Sequence, residues 1–339
     1  MRPLDRIRLA PRGPLAFDLT LERYRLWGED PANLYRAGVF RRVARADGRL
    51  VPYALRAGGS VARPRLEVAL APVDAAGSPA AVRAEVRWLL GLDADLAGFY
   101  ALAQDDPVLA GLIRPFYGMR PPLAPEPFEM LVGAITAQQV NLGFALATRA
   151  RLVRRFGRPR RVDGALVWAF PTPETLARAR VAELRALQFS TRKAEYIIGL
   201  GRVVAEGRLD LEALRRCESD EVIARLTALR GLGRWTAEWF LLRALGRGGV
   251  CPADDLGVRK AFGAFCFGGR EVDADRIRRY AARWGAYQNL AVHYLLAGAR
   301  LRATFRSGPT PPAGGPGGRS KRRRAGRWHG VSHERAGSP

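Results

Sequence analysis

The stretch LRGLGRWTAEWFLLRALGRGGVCPADDLGVRK, residues 229–260, decides how the rest of the chain is read. Gly231 and Gly233 bracket Leu232 directly before a run with helical spacing, and SDEVIARLTALR (219–230) supplies a helix ahead of them. Glycine lets a backbone turn sharply and approach a partner closely. The unpaired N–H groups at the start of the second helix suit an anion such as phosphate. A helix–glycine turn–helix unit over about 218–246 is therefore expected, and most such turns are only turns. The segment after the second helix is less ordinary: it holds two adjacent aspartates, Asp254 and Asp255, in a chain with a formal net charge of +24.

That charge narrows the partners. Of 56 basic residues only Lys193, Lys260 and Lys321 are lysines, against 32 acidic residues in all. Nine Lys or Arg and one Glu fall in 301–339, which leaves +16 on the first 300 residues. The folded body is basic in its own right, and nucleic acid is the leading partner, although an Arg-rich proteome would also give this excess. Histidine is scarce. His329 and His333 lie near the C-terminus, and His293 reads as a helix residue facing a polar neighbour. His-based catalysis and His-rich metal sites are thus poorly supported. Cys217, Cys251 and Cys266 show neither a disulfide framework nor a metal pattern. No phosphate-loop motif occurs, so any chemistry rests on carboxylates, and no cofactor or metal is expected. No run approaches the ~20 apolar residues of a membrane span. The first twenty residues break their apolar character with charge and proline, so a cytoplasmic protein is expected, with no membrane partner.

Periodicity divides the chain at about residue 91. Strand character covers 17–70: FDLTLERYRLW alternates, Asp47-Gly48 is a favoured two-residue hairpin turn, and RLEVALAPV is a further strand. AAVRAEVRWLLGL (80–92) then turns helical, with Val82, Val86, Leu89 and Leu90 on one face. The expected fold class is α+β: a small N-terminal domain (1–91) with an antiparallel β-sheet and helices, then a two-lobed, all-helical core (92–302). Helices are expected at 191–206, 218–229, 234–246, 254–265, 273–283 and 285–300, with a break near Asn141–Gly143. From about 303 the sequence is Pro/Gly-rich and then basic, a composition that cannot bury a core and predicts a disordered tail adding salt-sensitive affinity for DNA.

The string LRGLGRWTAEWFLLRALGRGGVCPADDLGVRKAF resembles the signature of the helix-hairpin-helix DNA glycosylase superfamily, and within it the DNA-3-methyladenine glycosylase II branch. AITAQQVN, FPTPETLA, STRKAEYIIGLGRVVAEGRLDLEAL and RIRRYAARWGAYQNLAVHYL match that branch in order, and together they cover most of 115–300. The resemblance implies a glycosylase of base-excision repair, a monomer that flips alkylated purines of the 3-methyladenine and 7-methylguanine type out of double-stranded DNA. It implies that Asp255, with Val258 and Lys260 in register, is the catalytic aspartate; Asp254 is then expected to cap the following helix. Without the resemblance, both aspartates would read as helix-start residues.

Further roles come by resemblance. Trp235 stands where superfamily members with lyase activity carry a lysine, which implies a monofunctional enzyme. Trp235, Trp239 and Leu296 are implied to line the base pocket, Leu296 replacing a tryptophan of close relatives. Two tryptophans at helical spacing also suit a core. Gln138 and Gln139 match the segment that wedges into the gap left by the flipped nucleotide. Gly231, Gly233, Arg234 and Thr236 are implied to meet DNA phosphates, and Arg230 replaces the usual proline. Carbonyls of Thr227, Leu229 and Leu232 match a monovalent-cation site; the four-cysteine iron–sulfur loop of other branches is absent. Two alternatives stay open: a glycosylase for another base, hypoxanthine or uracil, and a non-catalytic DNA-binding protein.

Overall fold

The computed structural model describes residues 6–46, 48–71 and 79–307. Its N-terminal part is a five-stranded antiparallel sheet built from β1 (Arg6–Leu9), β2 (Asn33–Arg36), β3 (Val39–Ala46), β4 (Arg49–Gly59) and β5 (Pro64–Leu70), in the order β1-β5-β4-β3-β2. Ala46 pairs with Arg49, so β3 and β4 are joined across two residues, as Asp47-Gly48 requires. Asp47 itself lies outside the described residues.

FDLTLERYRLW is not a strand. Phe17–Leu21 forms a short helix, α1, followed by a 3-10 turn at Glu22–Tyr24. The buried residues Phe17, Thr20, Leu21 and Tyr24 recur at helical spacing, and this period overrides the brief alternation. Helix α2 (Pro79–Leu89) buries Val82, Val86 and Leu89 against the sheet, in one core with Phe40, Tyr53, Leu55 and Val68.

The remainder is helical with one exception. Helices α3 (Leu96–Asp105), α4 (Ala110–Ile113), α5 (Pro127–Ala137) and α6 (Leu142–Phe156) lead to a hairpin of β6 (Arg158–Val162) and β7 (Ala165–Ala169), which the sequence pattern does not announce. Its turn is Asp163-Gly164, both with positive φ (51° and 74°), the same residue pair as in the first hairpin. Val162, Val167 and Ala169 cover the second face of the large sheet at Val39, Val43 and Ala54. Asp163 accepts hydrogen bonds from Arg41 and Arg56 of that face.

Next come α7 (Pro173–Ala177), α8 (Val181–Ala186), α9 (Thr191–Ala205), α10 (Ser219–Thr227), α11 (Arg234–Arg243), α12 (Leu256–Cys266), α13 (Ala274–Ala281) and α14 (Gln288–Ser307). The last extends past 303 and so takes in five residues expected in the tail; 308–339 lie outside the described residues. These helices pack around two apolar cores. One gathers α5–α10, the other α3, α4 and α12–α14. Helix α11 serves both, giving Phe240 and Leu241 to the first and Trp239 and Leu242 to the second. The helix after the glycine turn therefore lies at the seam of the helical body.

A buried ionic network joins the sheet to this body. Arg42 of β3, 1% exposed, reaches Glu85 of α2 and Glu126 and Glu129 at the start of α5. Arg149 of α6 bridges Glu129 and Asp30, and Asn33 bonds both carboxylates. Burial alone raises the Glu129 carboxyl, but Arg42 and Arg149 overrule it and hold it at about 2. Among the described residues no helix is long and apolar enough to cross a membrane.

Candidate active site

The glycine turn is tight for a steric reason. Gly231 has φ +94°, and a Cβ on it would meet a ring carbon of Tyr196 (α9) at 2.3 Å, so no other residue fits. Gly233 differs: its backbone is extended and a Cβ would meet nothing, so its bare face leaves open space at the N-terminus of α11. Leu232 between them is buried and anchors the turn in the first core. Arg230 is exposed, pairs with Glu195 at 3.3 Å and lies over the Tyr196 ring. The Leu229 carbonyl accepts the Leu232 N–H at 3.1 Å.

Across from the turn stands Asp255, partly exposed and fixed through both oxygens. Oδ2 receives the indole N–H of Trp235 at 2.8 Å and that of Trp239 at 3.2 Å. Oδ1 receives the backbone N–H of Val258 at 3.1 Å, which makes Asp255 the N-cap of α12. The expected division of labour between the two aspartates is therefore corrected. Asp255 caps the helix, whereas Asp254 receives Arg278 of α13. The α12 dipole adds a stabilising field for an anion at this end. Trp235 and Trp239 deliver two donors to one oxygen because they lie one helical turn apart on α11.

Behind this pair runs a second charge cluster. Arg278 also bonds Glu238 of α11 at 3.2 Å and Asp275 at 3.0 Å, and Arg234 donates to the same Glu238 oxygen at 2.9 Å. Through it α13, the aspartate corner and the hairpin helix are tied together. No sequence motif marks Glu238, Arg278 or His293. Their only sequence signal is helical spacing, Glu238 one turn after Arg234 and His293 one turn before Leu296–Ala297.

Comparison with known proteins settles the family. Residues 132–286 match the HhH-GPD superfamily base excision DNA repair protein model. A 3-methyladenine DNA-glycosylase from Archaeoglobus fulgidus has a similar structure: TM-score 0.79 and 30% identity, over 87% of this chain and 99% of that one. This chain belongs to the HhH-GPD superfamily. A curated Bacillus subtilis relative, DNA-3-methyladenine glycosylase, is 34% identical over 204 residues, 60% of this chain and 67% of its own length. Two other curated relatives are matched over 57% and 56% of their length. A Schizosaccharomyces pombe 3-methyladenine DNA glycosylase, in complex with abasic DNA, reaches TM-score 0.52 at 26% identity, over 59% of this chain and 94% of that one. The mostly helical fold with a small N-terminal sheet is that of the superfamily.

The remaining superfamily positions differ in how accessible they are. Trp235 is half-buried, while Trp239 is 7% exposed. The Arg243 guanidinium covers the Trp239 ring at 4.6 Å, so one face of that indole is already taken. Leu296 is half-buried, its Cδ2 3.5 Å from where a Cβ on Gly257 would stand, two residues past Asp255. Asp255, Trp235, Trp239 and Leu296 are thus brought together. Gln138 and Gln139 lie apart from them, in the α5–α6 corner. Gln138 donates to the Gly231 carbonyl at 2.9 Å, and Gln139 is exposed with φ +54°. A cleft of about 510 Å³ opens beside it, lined by Thr136, Phe144, Gln188 and Lys193. Arg234 remains half-exposed, but the Thr236 side chain is buried. A phosphate could therefore meet Thr236 only through its backbone.

Proposed function

We propose that this protein is a monofunctional DNA glycosylase of base-excision repair, which flips alkylated purines of the 3-methyladenine and 7-methylguanine type out of duplex DNA and hydrolyses their N-glycosidic bond with Asp255. The observation that carries this reading is a partly exposed carboxylate held by two indole N–H groups and a helix start. It is supported by the relatives, which are named as 3-methyladenine glycosylases.

The chemistry comes from placement. Breaking the bond between an alkylated base and its sugar develops positive charge on the sugar, as in glycoside hydrolysis. A fixed carboxylate stabilises that charge more than it stabilises the ground state, so its field lowers the barrier. The indole N–H groups orient Oδ2 without neutralising it, since tryptophan carries no charge. Asp255 also orients the attacking water and takes its proton. An alkylated base leaves as a neutral molecule and needs no general acid, in keeping with the scarcity of histidine. Trp235 has no amine with which to form a Schiff base, so strand cleavage is not expected.

On the same reading, Gly231, Gly233 and Arg234 hold phosphates, Trp235 stacks on the extruded base, and Gln139 fills the gap with Gln138 bracing it against the hairpin. The protein would work as a cytoplasmic monomer, with 1–91 as a domain buttressing the helical core. The deciding variant is Asp255→Asn. Asparagine keeps one oxygen, which can still accept the Val258 N–H as a helix cap, while its amide NH2 replaces the oxygen that received the two indoles, so the charge and those two bonds are lost together. We expect binding to methylated DNA to persist and base release to fall by at least ~100-fold in single-turnover assays. Undiminished release would remove Asp255 from the mechanism.

A further inference from the structure

His293 is packed against the tryptophan pair, and none of the chemistry above uses it. Its ring meets Trp239 edge-on, with centroids 6.0 Å apart and planes at 88°, and it is 9% exposed. Nδ1 lies 2.8 Å from the Asn289 carbonyl, one turn back on α14. A carbonyl only accepts, so Nδ1 carries the proton and Nε2 is a bare acceptor. That Nε2 is buried and has no hydrogen-bond partner among the described residues. Burial pushes the imidazole down to about 4, the Asn289 bond pulling weakly the other way and the charges of Arg23 and Arg300 adding to the fall. The ring is therefore neutral near pH 7 and keeps its lone pair.

A buried acceptor left unpaired costs stability unless a partner arrives. Where it stands says what the partner is. The scissile bond to the purine must lie at Asp255, whose Oδ2 bonds the Trp239 indole, and His293 meets that same ring edge-on. Leu296, three residues on from His293 and on the same face of α14, flanks Gly257 beside Asp255. Trp239 and Leu296 thus neighbour both the aspartate corner and the imidazole, and a base whose sugar end is at the carboxylate carries position 6 on its opposite edge. We infer that Nε2 of His293 reads position 6 of the flipped purine, taking a hydrogen bond from the 6-amino group of an alkylated adenine and disfavouring the 6-oxo group of alkylated guanine or hypoxanthine. Because Nε2 is buried, the contact requires the half-buried Leu296 side chain to move aside. Sites that hydrogen-bond a substrate group discriminate more sharply than sites that test shape alone. The inference rests on the glycosylase reading and deepens it.

The test uses DNA treated with dimethyl sulfate, which carries both 3-methyladenine and 7-methylguanine, with released bases separated by chromatography. The full-length chain is compared with His293→Phe, which keeps an aromatic edge on Trp239 but has no acceptor, and with His293→Gln, whose carbonyl accepts. Melting curves check folding, and His293→Leu replaces the Phe variant if that one does not fold. The expected result is a fall of roughly tenfold in the ratio of 3-methyladenine to 7-methylguanine release for Phe or Leu, with Gln close to the unsubstituted protein. An unchanged ratio, or equal loss of both bases, overturns the role of His293 and leaves the glycosylase reading standing. If the unsubstituted protein releases neither base, the glycosylase reading itself fails and this inference with it.

Discussion

Two indole nitrogens converging on one carboxylate oxygen make Trp235 and Trp239 part of the aspartate's setting as well as walls of a pocket. Trp235→Phe separates the two roles, because phenylalanine keeps an aromatic face and removes only the N–H. Oδ2 then retains Trp239 alone, at the longer distance of 3.2 Å. Single-turnover release should fall about tenfold, the worth of one hydrogen bond to a charged group, with little change in DNA affinity. Unchanged release would mean that orientation by Val258 N–H and Trp239 suffices. The sequence could point to Asp255 only by resemblance, and it assigned the cap to the wrong neighbour. Asp254 and Asp255 suit an N-cap equally, and what separates them is which one faces Arg278, a residue far along the chain. His293 was legible as a helix residue, but its neighbour Trp239 comes from another helix, so spacing could not place the imidazole beside the site.

Between elements, the buried network around Arg42 holds the start of α5, and the helix ends at Ala137, just before Gln138 and Gln139. Arg42→Leu would strand Glu85, Glu126 and Glu129 without their shared cation. Breaking a buried pair by removing one partner costs about 3–5 kcal/mol, and urea denaturation should register a loss of that size. By contrast the Arg6–Glu67 pair at 3.0 Å, with side chains 60% and 39% exposed, should give less than about 1 kcal/mol when broken. Loss of stability for Arg42→Leu no greater than for the exposed pair would show that the carboxylates are neutralised or hydrated instead. Elements with long apolar periods, such as α2 and α9–α12, were readable from sequence to within a few residues. The hairpin β6–β7 was not, although Asp163-Gly164 repeats the turn pair of Asp47-Gly48. RPRRV offers a single buried residue, Val162, so no alternation announces it; its strands are held by the sheet they cover.

For the whole molecule the surplus of positive charge matters most, and much of the negative charge is already spent inside. Asp30, Glu85, Glu126, Glu129, Asp163 and Glu238 all face arginines within the fold. Since arginines match these carboxylates, the pairs cancel, and the field presented to a polyanion follows the net +24. Residues 308–339 add seven Lys or Arg and one Glu. Each phosphate neutralised contributes about −0.9 to the slope of log affinity against log salt for duplex DNA. Truncation after Ser307 should therefore flatten that slope by roughly 2–4 and weaken binding at low salt more than at high salt. Release of base from saturated complexes should not change, because Asp255, Trp235 and Trp239 all lie before the cut. Fluorescence anisotropy across a salt series measures the first effect and single-turnover chromatography the second. A truncated chain with the full slope would assign the electrostatic footprint to the hairpin and the helical body alone. A chain that lost base release as well would place part of 308–339 in the working site.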